Sequence, residues 1–271
     1  MLNDPDKATF DEVVDSLTLD AEIIPTLELL WQKADNELAI SRLDWLLRRA
    51  HINKLANLLM QWIHREGTLL EGAWLVATHL YPDLTFEEVE KTVDGIVRDI
   101  WVNMRDDMKP HEQVELINSV FFGKYKMRGD KRRNSAVDNI FINNVLRKRV
   151  ACHIAMLILY HSVAEKLNIP IMPVMLFCAL RLAYMSNDGE SILFFIEPFD
   201  NGLIFDHATA KQIITRQGVP FDRRYIKMCP NELTIVGYKM EVTMVYKQKG
   251  MEEKVEEMYE LLQNLQNSEQ E

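Results

Sequence analysis

Cysteine, glycine and proline are all scarce in this chain, at 3, 10 and 9 of 271 residues. Cys152, Cys178 and Cys229 are odd in number and widely spaced, so they build no disulfide framework, and no Cys-x-x-Cys pair offers zinc a starting point. Few glycines and prolines leave too few turns for a sandwich or barrel of many short strands, which favours helices. Long apolar runs are missing too. The most apolar stretch, Val150 to Val163, is too short to span a bilayer and contains His153 and His161. A basic surplus is also lacking: 31 Lys and Arg face 41 Asp and Glu, for a net charge of −10. Phosphate affinity comes from Lys and Arg releasing counterions, so this balance argues against nucleic acid as the main partner. The opening Met-Leu-Asn-Asp-Pro-Asp-Lys does not have the basic-then-apolar order of a signal peptide. The expectation is a protein of the reducing cytoplasm, with no membrane or nucleic-acid partner, no metal and no cofactor.

What is present is an ordinary globular balance, 48% hydrophobic and 27% charged. From about Phe10 to Glu66 the apolar residues recur at helical spacing. Leu27, Leu30, Trp31 and Ala34 form one set, Leu43, Leu46, Leu47 and Ala50 a second, and Leu55, Leu58, Leu59 and Trp62 a third. These read as separate helices packed as antiparallel neighbours. Thr68 to Leu80 predicts another helix, stopped by Tyr81-Pro82-Asp83, because proline has no amide to continue the ladder. Thr85-Phe86-Glu87-Glu88 reads as an N-cap and acidic first turn of a helix running to about Arg105. A further helix is expected over Pro110 to Val120.

Phe121 to Asn134 reads as a basic loop, with six Lys and Arg from Lys124 through Arg133. Such a patch suits an anion or an acidic partner, although a solvated loop is the commoner meaning. Helices are then expected over Asp138 to Arg149 and, buried, over Val150 to Lys166. Ile169 to Phe177, carrying Pro170 and Pro173, fits an extended segment entering a sheet. Leu180 to Met185 and Ile192 to Ile196 read as strands joined by the turn Ser186-Asn187-Asp188-Gly189. Phe199-Asp200-Asn201-Gly202 is a second turn, and Leu203-Ile204-Phe205 a short strand. Leu233 to Tyr246 is rich in Val, Thr, Ile and Tyr, which locally favours strand. Met251 to Leu265 is an amphipathic helix with Val255, Met258, Leu261, Leu262 and Leu265 on one side.

Three pieces of the stretch from Trp74 to Gly202 carry a family resemblance. The first is Phe122-Gly-Lys-Tyr-Lys-Met-Arg-Gly-Asp130, followed by Asn139 and Val145-Leu146. The second is Leu159-Tyr160 with Val163-Ala164-Glu165-Lys166-Leu167-Asn168-Ile169-Pro170. The third is Ile196-Glu197-Pro198-Phe199-Asp200-Asn201-Gly202. In order and spacing these resemble the SirB-type transglutaminase-like family of bacterial proteins, over roughly half the chain. The resemblance implies an α+β, papain/transglutaminase-like core, a central helix on a small antiparallel sheet. A large N-terminal helical region precedes it and a C-terminal helical hairpin of tetratricopeptide-like type follows. It implies the boundaries 1–70, 71–220 and 221–271, and it overrides the local strand reading of Leu233 to Tyr246 in favour of helix.

The chemistry of such a site needs a thiolate at the start of the central helix, a histidine to take its proton and an Asp or Asn to orient that histidine. The resemblance puts His153 at the nucleophile position with Cys152 beside it, Ala179 at the histidine position and Glu197 at the acid position. No catalytic residue is therefore expected. Cys152 with His153 or His161 as base is the alternative, a thiol amidase, peptidase or acyl transferase. Adjacent helical residues point about 100° apart, however, and His161 lies two and a half turns away. A metal set of Cys152, His153 and Cys178 is disfavoured because adjacent ligands strain one site. Cys152 and Cys178 read as small apolar residues, and His161 as packed on a helix flank. The ligand-binding candidates are Asn139, Arg128, Arg132 and Glu197. The expected function is a binding or regulatory scaffold that takes a protein or peptide partner, with oligomeric state open. A further reading has an acidic partner held by Lys124 to Arg133.

Overall fold

The computed structural model describes residues 6, 10, 11, 14, 21–131 and 137–267. Its contacts divide the chain into two compact units, residues 1–65 with 252–271, and residues 66–251. The sequence reading instead divides the chain at 70 and 220, which assigns both C-terminal helices to one region.

In the first unit α1 (Ile24–Lys33) packs on α2 (Glu37–His64) through Ile24, Leu27, Leu43, Leu46 and Ala50. The second and third apolar sets of the sequence are one helix of 28 residues, not two. No glycine or proline interrupts it, and the polar residues His51 and Lys54 that read as a joint lie on its exposed face. The helix α10 (Glu252–Asn267) runs against α2, burying Met258 and Leu261. Arg48 and Arg49 reach Glu253 and Glu260, each at 2.7 Å. The side chains of Leu262 and Leu265 lie outside the described residues.

The second unit holds α3 (Leu69–Thr78), α4 (Phe86–Trp101), α5 (Pro110–Asn118), α6 (Ile142–Lys148), α7 (His153–Lys166), α8 (His207–Thr215) and α9 (Asn231–Gln248). Thr85 caps α4 as expected, in a reciprocal capping box with Glu88. Its strands are β1 (Arg128–Gly129), β2 (Val150–Ala151), β3 (Ile171–Leu176), β4 (Ala179–Met185), β5 (Ile192–Glu197), β6 (Leu203–Phe205) and β7 (Ile226–Met228). The last five form an antiparallel sheet in the order β6-β5-β4-β3-β7. Val174, Leu176, Ala183, Met185 and Phe195 form a core with Ala210 and Ile214 of α8. The central helix α7 packs against β3 and β4 and, on its other sides, against α3, α4 and α9. Every residue from Ile154 to Ala164 is buried, so α7 is apolar all round rather than amphipathic.

Local readings and structure part in a few places. The buried helix starts at His153, not Val150, because Val150 and Ala151 pair in parallel with Arg128 and Gly129. The stretch read as a basic loop opens as a π-helical turn over Ser119–Lys124, closed by the Tyr125 amide donating to the Val120 carbonyl at 2.9 Å. Buried Val120 and Phe121 hold it down. Leu233 to Tyr246 is helix, as the family resemblance implied and local composition did not. Helix α8 and strand β7 had no expectation attached to them.

His161 sits deep in α7, with Nδ1 buried and, among the described residues, without a hydrogen-bond partner. It is therefore more enclosed than the helix-flank position expected of it. Burial lowers its pKa from 6.5 to about 4. The folded chain then binds fewer protons at this site than the unfolded chain between pH 6.5 and 4, so stability falls as pH drops through that window. Replacing it, His161→Phe, should flatten the loss, retaining about 2 kcal/mol at pH 4.5 relative to the parent once both are normalised at pH 7. Urea midpoints at the two pH values measure this.

Candidate functional site

Two local devices set the start of α7. The amide of Cys152 donates to the Asn139 carbonyl at 2.7 Å, and the Asn139 side-chain amide donates to Asp130 Oδ2 at 2.5 Å. Asp130 in turn donates its backbone amide to the Ala151 carbonyl at 2.8 Å. Cys152 is thereby fixed as the N-cap, and His153 is the first residue of the helix.

The third side chain arrives from the end of β5. Glu197 is followed by a 3-10 turn (Pro198–Asp200), then by Asn201 and Gly202 at φ +57° and +72°. The Gly202 amide closes this turn on the Glu197 carbonyl at 3.1 Å. A Cβ on Gly202 would lie 1.9 Å from Asn118 Oδ1, so the close approach of Asn118 demands glycine. Asn118 also donates to the Gly202 carbonyl at 3.0 Å and accepts from the Tyr160 hydroxyl of α7 at 2.8 Å. The turn is thus tied to α5 and to the central helix.

Glu197 is buried and surrounded by donors. Arg181 Nε lies 2.6 Å from Oε2, the Phe199 amide 3.2 Å from Oε1, and His153 Nε2 3.2 Å from Oε1. Arg181 Nη1 is also 3.1 Å from His153 Nε2 and donates to the Leu180 carbonyl at 2.7 Å. The register Leu182 to Ile196, continued by one residue, sets Arg181 across from Glu197. Of the positions read from the sequence, His153 and Glu197 therefore meet. Ala179 lines the same cleft near the β3–β4 hairpin, but the β4 residue that touches both is Arg181, which the sequence reading did not single out. A basic residue two positions from Ala179 at strand spacing was the available signal.

Cys152 is 5% exposed, and burial, helped by the charge of Glu241, pushes its thiol up to about 12. The amides of Ile154 and Ala155 at the helix start act the other way and are outweighed. His153 Nε2 faces Glu197 and Arg181, and it either donates to the carboxylate or accepts from the guanidinium. His161 is buried within α7. Among the described residues no group of three or more His, Cys, Asp or Glu side chains is placed to hold a metal ion.

The remaining candidates are dispersed. Asn139 is buried, with its amide committed to Asp130. Arg128 is exposed on β1, and Arg132 lies outside the described residues. Lys124 and Lys131 of the basic stretch pair with Asp99 and Asp200 at 2.8 and 3.2 Å. Around His153 and Arg181 opens a cleft of about 510 Å³, whose walls include all three cysteines, with Met175, Leu180, Phe199, Leu233 and Glu241. Cys178 is exposed at the hairpin, while Cys152 and Cys229 are buried.

A central helix that starts at a cleft beside a small antiparallel sheet defines an α+β protein of transglutaminase-like architecture. The family model of the transglutaminase-like superfamily matches residues 87–236, more than half of the 271, and the chain belongs to that superfamily. Comparison with curated proteins and with solved structures finds no match. No helix among the described residues is long and apolar enough to cross a membrane.

Removing Arg181 leaves a buried carboxylate short of its main partner. Arg181→Met should destabilise the second unit by about 2–4 kcal/mol, whereas Arg181→Met with Glu197→Gln should recover much of the loss. Chemical denaturation of the two variants checks the ordering.

Proposed function

We propose that this chain is a non-catalytic transglutaminase-like protein, a binding or regulatory scaffold whose cleft receives a protein or peptide partner. The observation that carries this reading is the mutual pairing of His153, Arg181 and Glu197 at the helix start. Catalysis of this type asks for a thiolate at that point and a histidine free to take its proton. Here the histidine occupies the helix start itself, and an arginine, which cannot serve as a base at neutral pH, fills the place against the carboxylate. The open cleft and its apolar walls support retained binding.

The alternative is a cysteine-dependent amidase, peptidase or acyl transferase using Cys152. Its support is the place of Cys152 at the N-cap of α7, where the backbone amides of Ile154 and Ala155 favour a thiolate. Against it stand the net upward displacement of the thiol and the direction of His153 away from it. The motif order of the sequence supports a SirB-type, bacterial placement within the superfamily, and the two C-terminal helices are in keeping with a tetratricopeptide-like ending. Three free cysteines suit a reducing cytoplasm.

Thiol reactivity separates the two readings. With iodoacetamide at pH 7.5, followed by peptide mass spectrometry, Cys178 should label readily because it is exposed. Cys152 should label on the order of a thousandfold more slowly than an ordinary free thiol, since the thiolate is the reactive form. Rapid labelling of Cys152, persisting at pH 6, would sink the non-catalytic reading.

A further inference from the structure

The cleft opens at the start of α7, and the far end of the same helix borders a second cavity. Leu167 caps the helix there, and Asn168 follows at φ +56°, the left-handed position at which helices commonly end. The Asn168 and Ile169 amides donate to the Glu165 and Ala164 carbonyls, each at 2.9 Å, and the chain leaves through Pro170 into β3. Beside this turn lies a space of about 290 Å³, with Ile169, Pro170, Ile171 and Met172 as its apolar wall. It shares no lining residue with the cleft around His153.

The polar groups of this cavity are mainly acceptors. His161 lines it, is 2% exposed, and among the described residues has no hydrogen-bond partner on either ring nitrogen. Burial holds its pKa at about 4, so the ring is uncharged at neutral pH. Nδ1 is fully enclosed, which leaves Nε2 to meet a ligand. Glu165 stands one turn further along the same face of α7, about 6 Å away at 1.5 Å per residue. It is partly buried and has neither an ion pair nor a side-chain hydrogen bond among the described residues. The neighbouring Lys166 is already taken by Glu90 and Asp94, at 2.8 and 2.9 Å. Asn231 of α9 donates its side-chain amide to the Gly67 carbonyl at 3.2 Å, and its Oδ1 has no partner among the described residues. Asn168 is exposed at the rim, and no Lys or Arg is among the described lining residues. The C-terminal end of a helix adds partial negative charge. An anion finds nothing to pair with here, and a water that meets one nitrogen brings no charge to Glu165.

We propose that this cavity binds a guanidinium, with its fork on Glu165 and further N–H groups on Asn231 Oδ1 and His161 Nε2. A guanidinium offers five N–H donors and no acceptor, the complement of such a wall. Its planar fork meets a carboxylate with two parallel hydrogen bonds, and it is more weakly hydrated than an ammonium, so it enters a part-apolar site more readily. The methylene stem behind it lies along Ile169, Pro170 and Met172, as basic side chains do on apolar surface. The volume suits one side chain or a small molecule rather than a folded element. A free small cation and an arginine of a polypeptide carry the same chemistry. The site lies beyond the reading of the cleft and does not depend on it.

The test uses the full chain with N-acetyl-arginine methylamide, its uncharged isostere N-acetyl-citrulline methylamide, and ethylguanidinium. Calorimetry should find saturable binding of both guanidinium compounds, in competition with each other, and binding of the citrulline compound weaker by about tenfold or more. Proton NMR should show the His161 ring resonances moving with the same saturation. Glu165→Gln should weaken the arginine compound on the order of tenfold, and Met172→Trp, which fills the rim, should do likewise, both with circular dichroism unchanged. Clearly tighter binding of the arginine compound than of ethylguanidinium assigns the site to a polypeptide's arginine, and equal affinities assign it to a free cation. Equal binding of the arginine and citrulline compounds, binding indifferent to both variants, or no binding at millimolar concentration overturns the proposal. So does zinc ion that binds through Glu165 and displaces the guanidinium compounds, for then His161 and Glu165 are metal ligands.

Discussion

A carboxylate taken out of water has to be met by donors where it stands, and Glu197 is the side chain on which this site depends. Arg181 and the Phe199 amide donate to it, and His153 Nε2 lies 3.2 Å from it. Each comes from a different piece of the fold. Arg181 fixes β4 against β5, Phe199 fixes the turn that follows, and His153 fixes the first turn of α7. The same turn is held from the other side by Asn118, which bridges Gly202 and Tyr160. The end of the sheet and the start of the central helix are thereby locked in one polar cluster, within an otherwise apolar packing of α7.

That lock has a chemical consequence. A nucleophile needs a proton acceptor with a free lone pair, and an acceptor needs an orienting group that is not already claimed by a permanent cation. Here the cation is built in. Arg181 holds the carboxylate, and His153 lies within reach of both. Cys152, one residue away, is turned into the interior, where a thiolate would be badly solvated. What remains exposed around the cluster is mostly surface: apolar walls, the edge of the hairpin and the outward face of α9.

Much of the fold is legible in the sequence because it rests on local signals. The capping box at Thr85, the Ser186–Gly189 turn, the Asn201-Gly202 turn and the apolar run of α7 each declare themselves within a few residues. The site is legible in part. His153 and Glu197 were placed by the spacing of the family's motifs, and they do meet. Arg181 was not, because its role depends on cross-strand register, which no linear spacing states. The division of α2 into two helices failed for a related reason: His51 and Lys54 read as a polar joint, yet both lie on the exposed side of a continuous helix that buries Ile52 between them. The helical state of Leu233 to Tyr246 is a tertiary override of strand propensity, with Tyr238 and Tyr246 buried against the rest of the second unit.

The most direct test is turnover by the intact chain compared with Cys152→Ala. The assay follows incorporation of a fluorescent primary amine into a glutamine-containing protein, together with hydrolysis of an activated aryl ester. Rates indistinguishable between the two proteins, at the level of the buffer blank, are what a site closed by Arg181 and Glu197 predicts. A rate well above the blank that disappears in Cys152→Ala would contradict it and make this cleft an active site.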